Sequence, residues 1–228
     1  MRIPYAPSTP PSNEDGDNTT AEVAEIYNRI AARRHPRPLI PLDLALLHSP
    51  AVADGWNSFL GAIRSRTVLD AGLLELAVCR VAVLNDAVYE WNAHAPLALR
   101  AGVEGGQLEA AKKMPYLFEQ SAQQGDGSTG ADDDLPQRPS DSPLTDRQWA
   151  VLLYTDQMTR AVKVEERVFD LLRGLFSHRE IVELTAAIAA YNCVSRFLVA
   201  LDVGENNARA MKEVEELVAA VAAGTGSK

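Results

Sequence analysis

LLELAVCRVAVLNDAVYEWNAHAPLALRAGV, residues 73 to 103, is the stretch whose reading decides the architecture of this chain. Its first half belongs to the most apolar segment of the sequence, Asp70 to Leu84, which lacks proline and has no glycine beyond Gly72. Such a run, broken only by Glu75 and Arg80, predicts a central helix buried on all sides rather than an amphipathic surface helix. Asn85 and Asp86 can cap a second helix that runs through VYEWNAHAPLALRAG to a terminating Gly102. Pro96 should bend that helix close to His94.

Working outward, AEVAEIYNRIAARR puts Val23, Ile26, Tyr27 and Ile30 on one face of a helix starting near Thr20, which Pro36, Pro38 and Pro41 end. Helices follow at 42–48, at 50–64 behind Ser49–Pro50, and at 105–118. Thr145 and Gln148 have capping-box spacing ahead of a helix over 145–161, and further helices cover 165–174 and 177–201. No segment alternates with period two, so the fold class is all-α, a single domain of roughly eight helices spanning 19–204, with a C-terminal helix or tail over 205–228. Residues 1–18, rich in Pro, Ser, Asn and Asp, are expected to be disordered. The Gly/Ser/Asp-rich stretch 121–143 reads as a flexible insertion.

The formal charge of -9 argues against a nucleic-acid surface, because phosphate binding needs a basic stripe. The first twenty residues contain four prolines and three acids and no apolar core, unlike a signal peptide or anchor. No run of about 18 apolar residues is evident, so no membrane partner is expected and a cytoplasmic location is the default. Cys79 and Cys193, both in apolar helical patterns, read as buried reduced thiols.

Glu90 and His94 stand four residues apart, one helical turn, on the same face and within hydrogen-bonding reach. A carboxylate beside an imidazole fixes its tautomer, which suits a general acid/base. The same spacing also describes a plain surface contact. Glu75 sits among apolar neighbours, either as a proton carrier or as a helix-edge carboxylate paired with Arg80 or Arg64. His35, His48 and His178 lie in connections or at helix ends and read as structural or solvated. No HExxH, cysteine pair, GxGxxG or P-loop occurs, so neither a metal nor a nucleotide cofactor is expected.

Residues 73–103, with LTDRQWAVLLYTDQMT and REIVELTAAIAAYNCVSRFLVAL, resemble the carboxymuconolactone decarboxylase family and its alkylhydroperoxidase-D-like fold. The peroxidase branch of that fold has a glutamate, a CxxC pair beginning twelve positions later, and a histidine four residues after the second cysteine. Glu75 and His94 occupy the matching places, but Ala87 and Glu90 stand where the cysteines would be. That departure removes the thiol chemistry. The resemblance therefore implies a cofactor-independent acid/base enzyme, a lyase of the decarboxylase type, acting on a small organic acid, lactone or polyketide-derived molecule. His94 would move the proton, Glu90 would orient it and Glu75 would be the second carrier. Tyr89, Trp91, Asn192 and Arg196 are candidate substrate-binding residues, with core packing as the alternative for all four. The resemblance further implies a homo-oligomer, a trimer or a multiple of one. The N-terminal extension and the insertion resemble members from eukaryotic, fungal secondary metabolism. The same His/Glu site could serve an isomerase, a dehydratase or a ring-opening or ring-closing enzyme, and a non-enzymatic oligomeric binding protein on this fold stays open.

Overall fold

A computed structural model describes residues 1–11, 18–118 and 135–224. Ten helices and no strand occur among the described residues: α1 Asn18–Arg34, α2 Pro41–Leu46, α3 Pro50–Ser65, α4 Ala71–Leu84, α5 Val88–Arg100, α6 Gly105–Lys113, α7 Asp146–Arg160, α8 Glu166–Leu175, α9 His178–Leu201 and α10 Val214–Ala222. The all-α class agrees with the sequence reading, with ten helices against the eight or so expected. The chain divides into two compact units, Met1–Thr67 with Phe197–Ala208, and Val68–Arg196 with Arg209–Lys228.

In the first unit Ile26, Tyr27 and Ile30 of α1 are buried as their spacing foretold. Asp43 anchors α2: its carboxylate accepts two hydrogen bonds from Arg34, each 2.8 Å, and one from the Ile40 amide. The expected disorder at the N-terminus needs correcting for residues 1–11. Ala6 is buried, its amide donates to the Leu44 carbonyl at 3.1 Å, and the Arg2 amide donates to the Leu201 carbonyl at 2.8 Å. Tyr27 ties the same segment to α1 by donating its hydroxyl to the Pro7 carbonyl. Backbone pairing thus holds a segment whose side chains alone bury little. The rest of the expected disordered stretch, 12–17, lies outside the described residues.

The second unit is built around α4, in which Gly72 to Ala82 are all buried. It packs against α5, α6 and α7, and α10 covers α5 and α6. Thr145 closes the capping box: its hydroxyl accepts the Gln148 amide, and the Gln148 side chain accepts the Thr145 amide at 2.9 Å. At the α4–α5 junction the capping expectation is overturned. Asn85 is the C-cap of α4, Asp86 adopts φ 51°, and Ala87 is the N-cap of α5 without a side-chain bond. A short side chain such as Asp tolerates this left-handed conformation, and the chain reverses within three residues. Helix α6 ends at Lys113 rather than 118, because Pro115 disfavours helical backbone at Met114. Part of the expected insertion is ordered: the Pro136 carbonyl accepts the Trp149 indole N–H, and Arg138 donates to the Leu144 carbonyl. Residues 121–134 of that stretch lie outside the described residues. Helix α9, 24 residues, is long and apolar enough to cross a membrane by length and composition, although it holds no unbroken apolar run of 18 residues. A core helix passes the same test, and Leu184, Ala187 and Ile188 are fully buried.

Candidate active site

The tight reversal at 85–87 determines what faces what. Glu75 lies ten residues before Asn85 and His94 nine after it. At about 1.5 Å per residue both are ~14 Å from the turn, on neighbouring helices running in opposite directions. Residues four apart share a helix face, so Cys79 joins Glu75 on α4 and Glu90 joins His94 on α5. The order inverts across the pair: Glu75 meets His94, and Cys79 lies toward Glu90.

His94 Nδ1 is 2.7 Å from Glu75 Oε2. The two side chains are 14% and 6% exposed, so the bond is formed in a poorly solvated place with the imidazole at its rim. The Tyr191 ring, from α9, meets the imidazole edge-on with centroids 4.9 Å apart and an interplanar angle of 81°. With Glu75 ionised, its carboxylate accepts from Nδ1, and Nε2 keeps its lone pair for a reacting partner.

The expected bond between Glu90 and His94 is not formed. Glu90 is buried, and neither carboxyl oxygen has a hydrogen-bond partner. Burial pushes this carboxyl well above the ordinary carboxylate range, which makes it a neutral acid rather than an orienting anion. Orientation of His94 falls to Glu75, reversing the roles assigned to the two glutamates. Neither Arg80 nor a helix-edge position explains Glu75. Arg80 is taken by Asp156 on α7, with Nε–Oδ1 at 2.6 Å and Nη2–Oδ2 at 2.7 Å. Cys79 is fully buried, and burial, then Glu75, then Glu90 push its thiol well above the usual range. It stays a thiol and is no nucleophile. Cys193, expected to be buried, is exposed on α9.

Glu90 also yields a stability prediction. A carboxyl whose folded value lies above its unfolded one keeps its proton when folded and releases it on unfolding. Its contribution is complete below the ordinary carboxyl range and is lost as pH rises toward the folded value. The wild-type protein should lose up to about 1.4 kcal/mol per pH unit from this group across that window. Glu90→Gln, which cannot ionise, should flatten this slope, so urea unfolding at pH 5 to 8 should show the variant gaining on the wild type as pH rises. Parallel curves would refute a neutral buried Glu90.

Three of the four proposed substrate-binding residues, Trp91, Asn192 and Arg196, are hydrogen-bonded to groups other than His94. Trp91 is fully buried and donates its indole N–H to the Lys212 carbonyl at 3.0 Å, so it anchors the segment leading into α10. Asn192 accepts from Asn85 at 3.1 Å and donates to Thr159 at 3.0 Å. Arg196 is exposed and donates to the Asn192 side chain and carbonyl. On α9 these two point about 100° and 140° away from Tyr191, which faces the imidazole. Tyr89 is half-buried in the first turn of α5. Tyr191 and Cys79 escaped the sequence reading as site residues, although Cys79 stands one turn from Glu75. Among the other histidines, His48 bonds the Pro4 carbonyl at 2.7 Å, and His35 and His178 are exposed. Among the described residues no three His, Cys, Asp or Glu side chains are grouped to hold a metal ion.

The helical unit thus holds a buried Glu–His pair across the α4–α5 hairpin. The fold is alkylhydroperoxidase-D-like. Residues 50–118, from α3 to just beyond α6, match the carboxymuconolactone decarboxylase family. An uncharacterized peroxidase-related protein from Silicibacter sp. TM1040 superposes with a TM-score of 0.56 at 16% identity, covering 90% of this chain and 95% of its own. The debrominase Bmp8, in complex with 2,3,4-tribromopyrrole, superposes with a TM-score of 0.55 at 16% identity, covering 94% and 96%. At such identity these likenesses speak for the fold alone. No curated protein matches the sequence.

Proposed function

We propose that this chain is an acid/base enzyme of the carboxymuconolactone decarboxylase family, which moves a proton at carbon or at an enol or lactone oxygen of a small organic molecule. The observation that carries the reading is the 2.7 Å bond from His94 Nδ1 to the buried Glu75 carboxylate. It holds one nitrogen as donor and leaves Nε2 as the base, and the Glu75 charge stabilises the imidazolium that forms once the proton arrives. Glu90, one turn away and neutral, is a second proton source. The family match over α3 to α6 includes all three residues, and the debrominase shows a protein of this fold holding a small heteroaromatic molecule. Decarboxylation and double-bond isomerisation pass through an enolate-like species that is protonated at carbon, whereas dehydration and eliminative ring opening form one by proton removal and then protonate the departing oxygen, so a single positioned acid/base can serve each.

The test is hydrogen exchange at carbon. In D2O the wild-type protein should catalyse deuterium incorporation next to the carbonyl in a panel of β,γ-unsaturated lactones and β-keto esters, read by proton NMR. His94→Gln should abolish the catalysed part. Equal exchange by the folded variant would remove His94 from the chemistry.

A further inference from the structure

The bond to Glu75 restrains one end of the His94 ring, and this inference rests on His94 being the proton-transferring group. Nδ1 is held 2.7 Å from Glu75 Oε2, yet a hydrogen bond tolerates about 30° of misalignment. Rotation about the histidine Cβ–Cγ bond has broad minima and adds little restraint. Nε2 lies across the ring from the tether, so a tilt of that size carries it by about 1 Å, a misplacement that can cost on the order of 10²-fold in rate. A second contact is needed for Nε2 to keep one direction.

Tyr191 supplies that contact. Its ring stands at 81° to the imidazole with centroids 4.9 Å apart, close to the near end of the range for perpendicular aromatic pairs. There is no room for the imidazole to tilt toward α9, and the attraction between the rings resists a tilt away from it. Tyr191 is itself held. It is buried, and Leu184, Ile188, Val194 and Ser195, all buried, flank it on the same side of α9. Ser195, one turn further on, accepts from the Asn85 side chain at 2.7 Å, and Asn192 accepts from the same amide at 3.1 Å and donates to Thr159 on α7 at 3.0 Å. Asn85 belongs to the reversal from which α4 and α5 diverge. Helix α9 is therefore tied to the hairpin at its turn and meets it again at the imidazole, so the Tyr191 ring cannot recoil.

We propose that Tyr191 is a positioning residue for proton transfer: its ring, backed by α9, holds the His94 imidazole in one plane so that Nε2 keeps a single direction. The ring is what matters here, whereas the hydroxyl takes no part in the reaction.

Two variants and two readouts test this on the full chain. Tyr191→Phe keeps the ring, and Tyr191→Leu keeps an apolar side chain in the same buried place but removes the aromatic edge. The first readout is the mobility of the imidazole, the order parameter of the His94 Cε1–H bond from 13C relaxation of protein labelled in its four histidines, with the His94 signal identified by its loss in His94→Gln. It should be about 0.85 in the wild type and in Tyr191→Phe and fall below about 0.6 in Tyr191→Leu. The second is deuterium exchange of α-angelica lactone, a β,γ-unsaturated lactone. Tyr191→Leu should slow it by about 10- to 100-fold in kcat with KM changed less than about threefold, since the contact is with the base and not with the lactone. Tyr191→Phe should stay within about threefold of the wild-type kcat. A folded Tyr191→Leu protein that matches the wild type in either readout overturns the proposal, as does a loss that falls on KM. A Tyr191→Phe protein as slow as Tyr191→Leu overturns it too, because the hydroxyl would then be the acting group. A wild-type protein with no exchange above background sinks the acid/base reading instead, and the order parameter still decides whether Tyr191 holds the ring.

Discussion

Glu75→Gln should lower the catalysed hydrogen-exchange rate by about 10²- to 10⁴-fold while leaving the protein folded, the range by which positioned proton transfer speeds reactions. The carboxylate does two things for His94. It accepts the Nδ1 hydrogen at 2.7 Å, which keeps the lone pair on Nε2, and it balances the imidazolium formed during transfer. A glutamine keeps the shape but loses the charge, and its amide N–H can turn toward Nδ1 and favour the wrong tautomer. The variant should therefore be slow at every pH from 5 to 9, with no pH at which wild-type rates return. Circular dichroism should remain that of the wild type, since side chains of equal size occupy one buried place. A rate within twofold of the wild type would show that Glu75 only packs.

Asp156→Ala should cost about 3–5 kcal/mol of unfolding free energy, the toll of leaving one partner of a buried ion pair uncompensated. Asp156 and Arg80 are fully buried, and the guanidinium also donates to the Ala111 and Met114 carbonyls at 3.0 and 2.7 Å, closing the end of α6. Burial pushes the Asp156 carboxyl upward, and Arg80 holds it down against that push. Set against total stabilities of about 5–15 kcal/mol for natural proteins, the loss is a large fraction of the whole. Arg80→Met combined with Asp156→Leu should recover part of it, because an apolar pair removes the stranded charge, but not all of it, because the α6 carbonyls lose their donor. Urea unfolding of the three variants decides the matter, and an Asp156→Ala curve within 1 kcal/mol of the wild type would sink it. The proposed acid/base site also leans on this pair. Arg80 faces α7 from the side of α4 opposite Glu75, so it fixes the rotation that turns Glu75 toward His94.

The apolar run from Asp70 to Leu84 could only be a buried helix, and the lack of period-two alternation excluded a sheet; both conclusions need nothing beyond local periodicity. Glu75, Glu90 and His94 were also legible as candidates, from the resemblance and from spacing along single helices. Spacing along one helix, however, favoured Glu90 as the partner of His94. The pairing actually made crosses two helices, and it depends on the reversal at Asn85–Ala87, where Asp86 takes a left-handed conformation that no periodicity reveals. Whether Arg80 answers Glu75 or Asp156 is decided by the rotation of α4 against α7, seventy-six residues further along the chain. Tyr191 reaches His94, and Trp91 turns to the Lys212 carbonyl, for the same reason. Helical character is a property of neighbours in sequence, whereas the charge state and partner of a buried side chain are set by what distant segments bring against it.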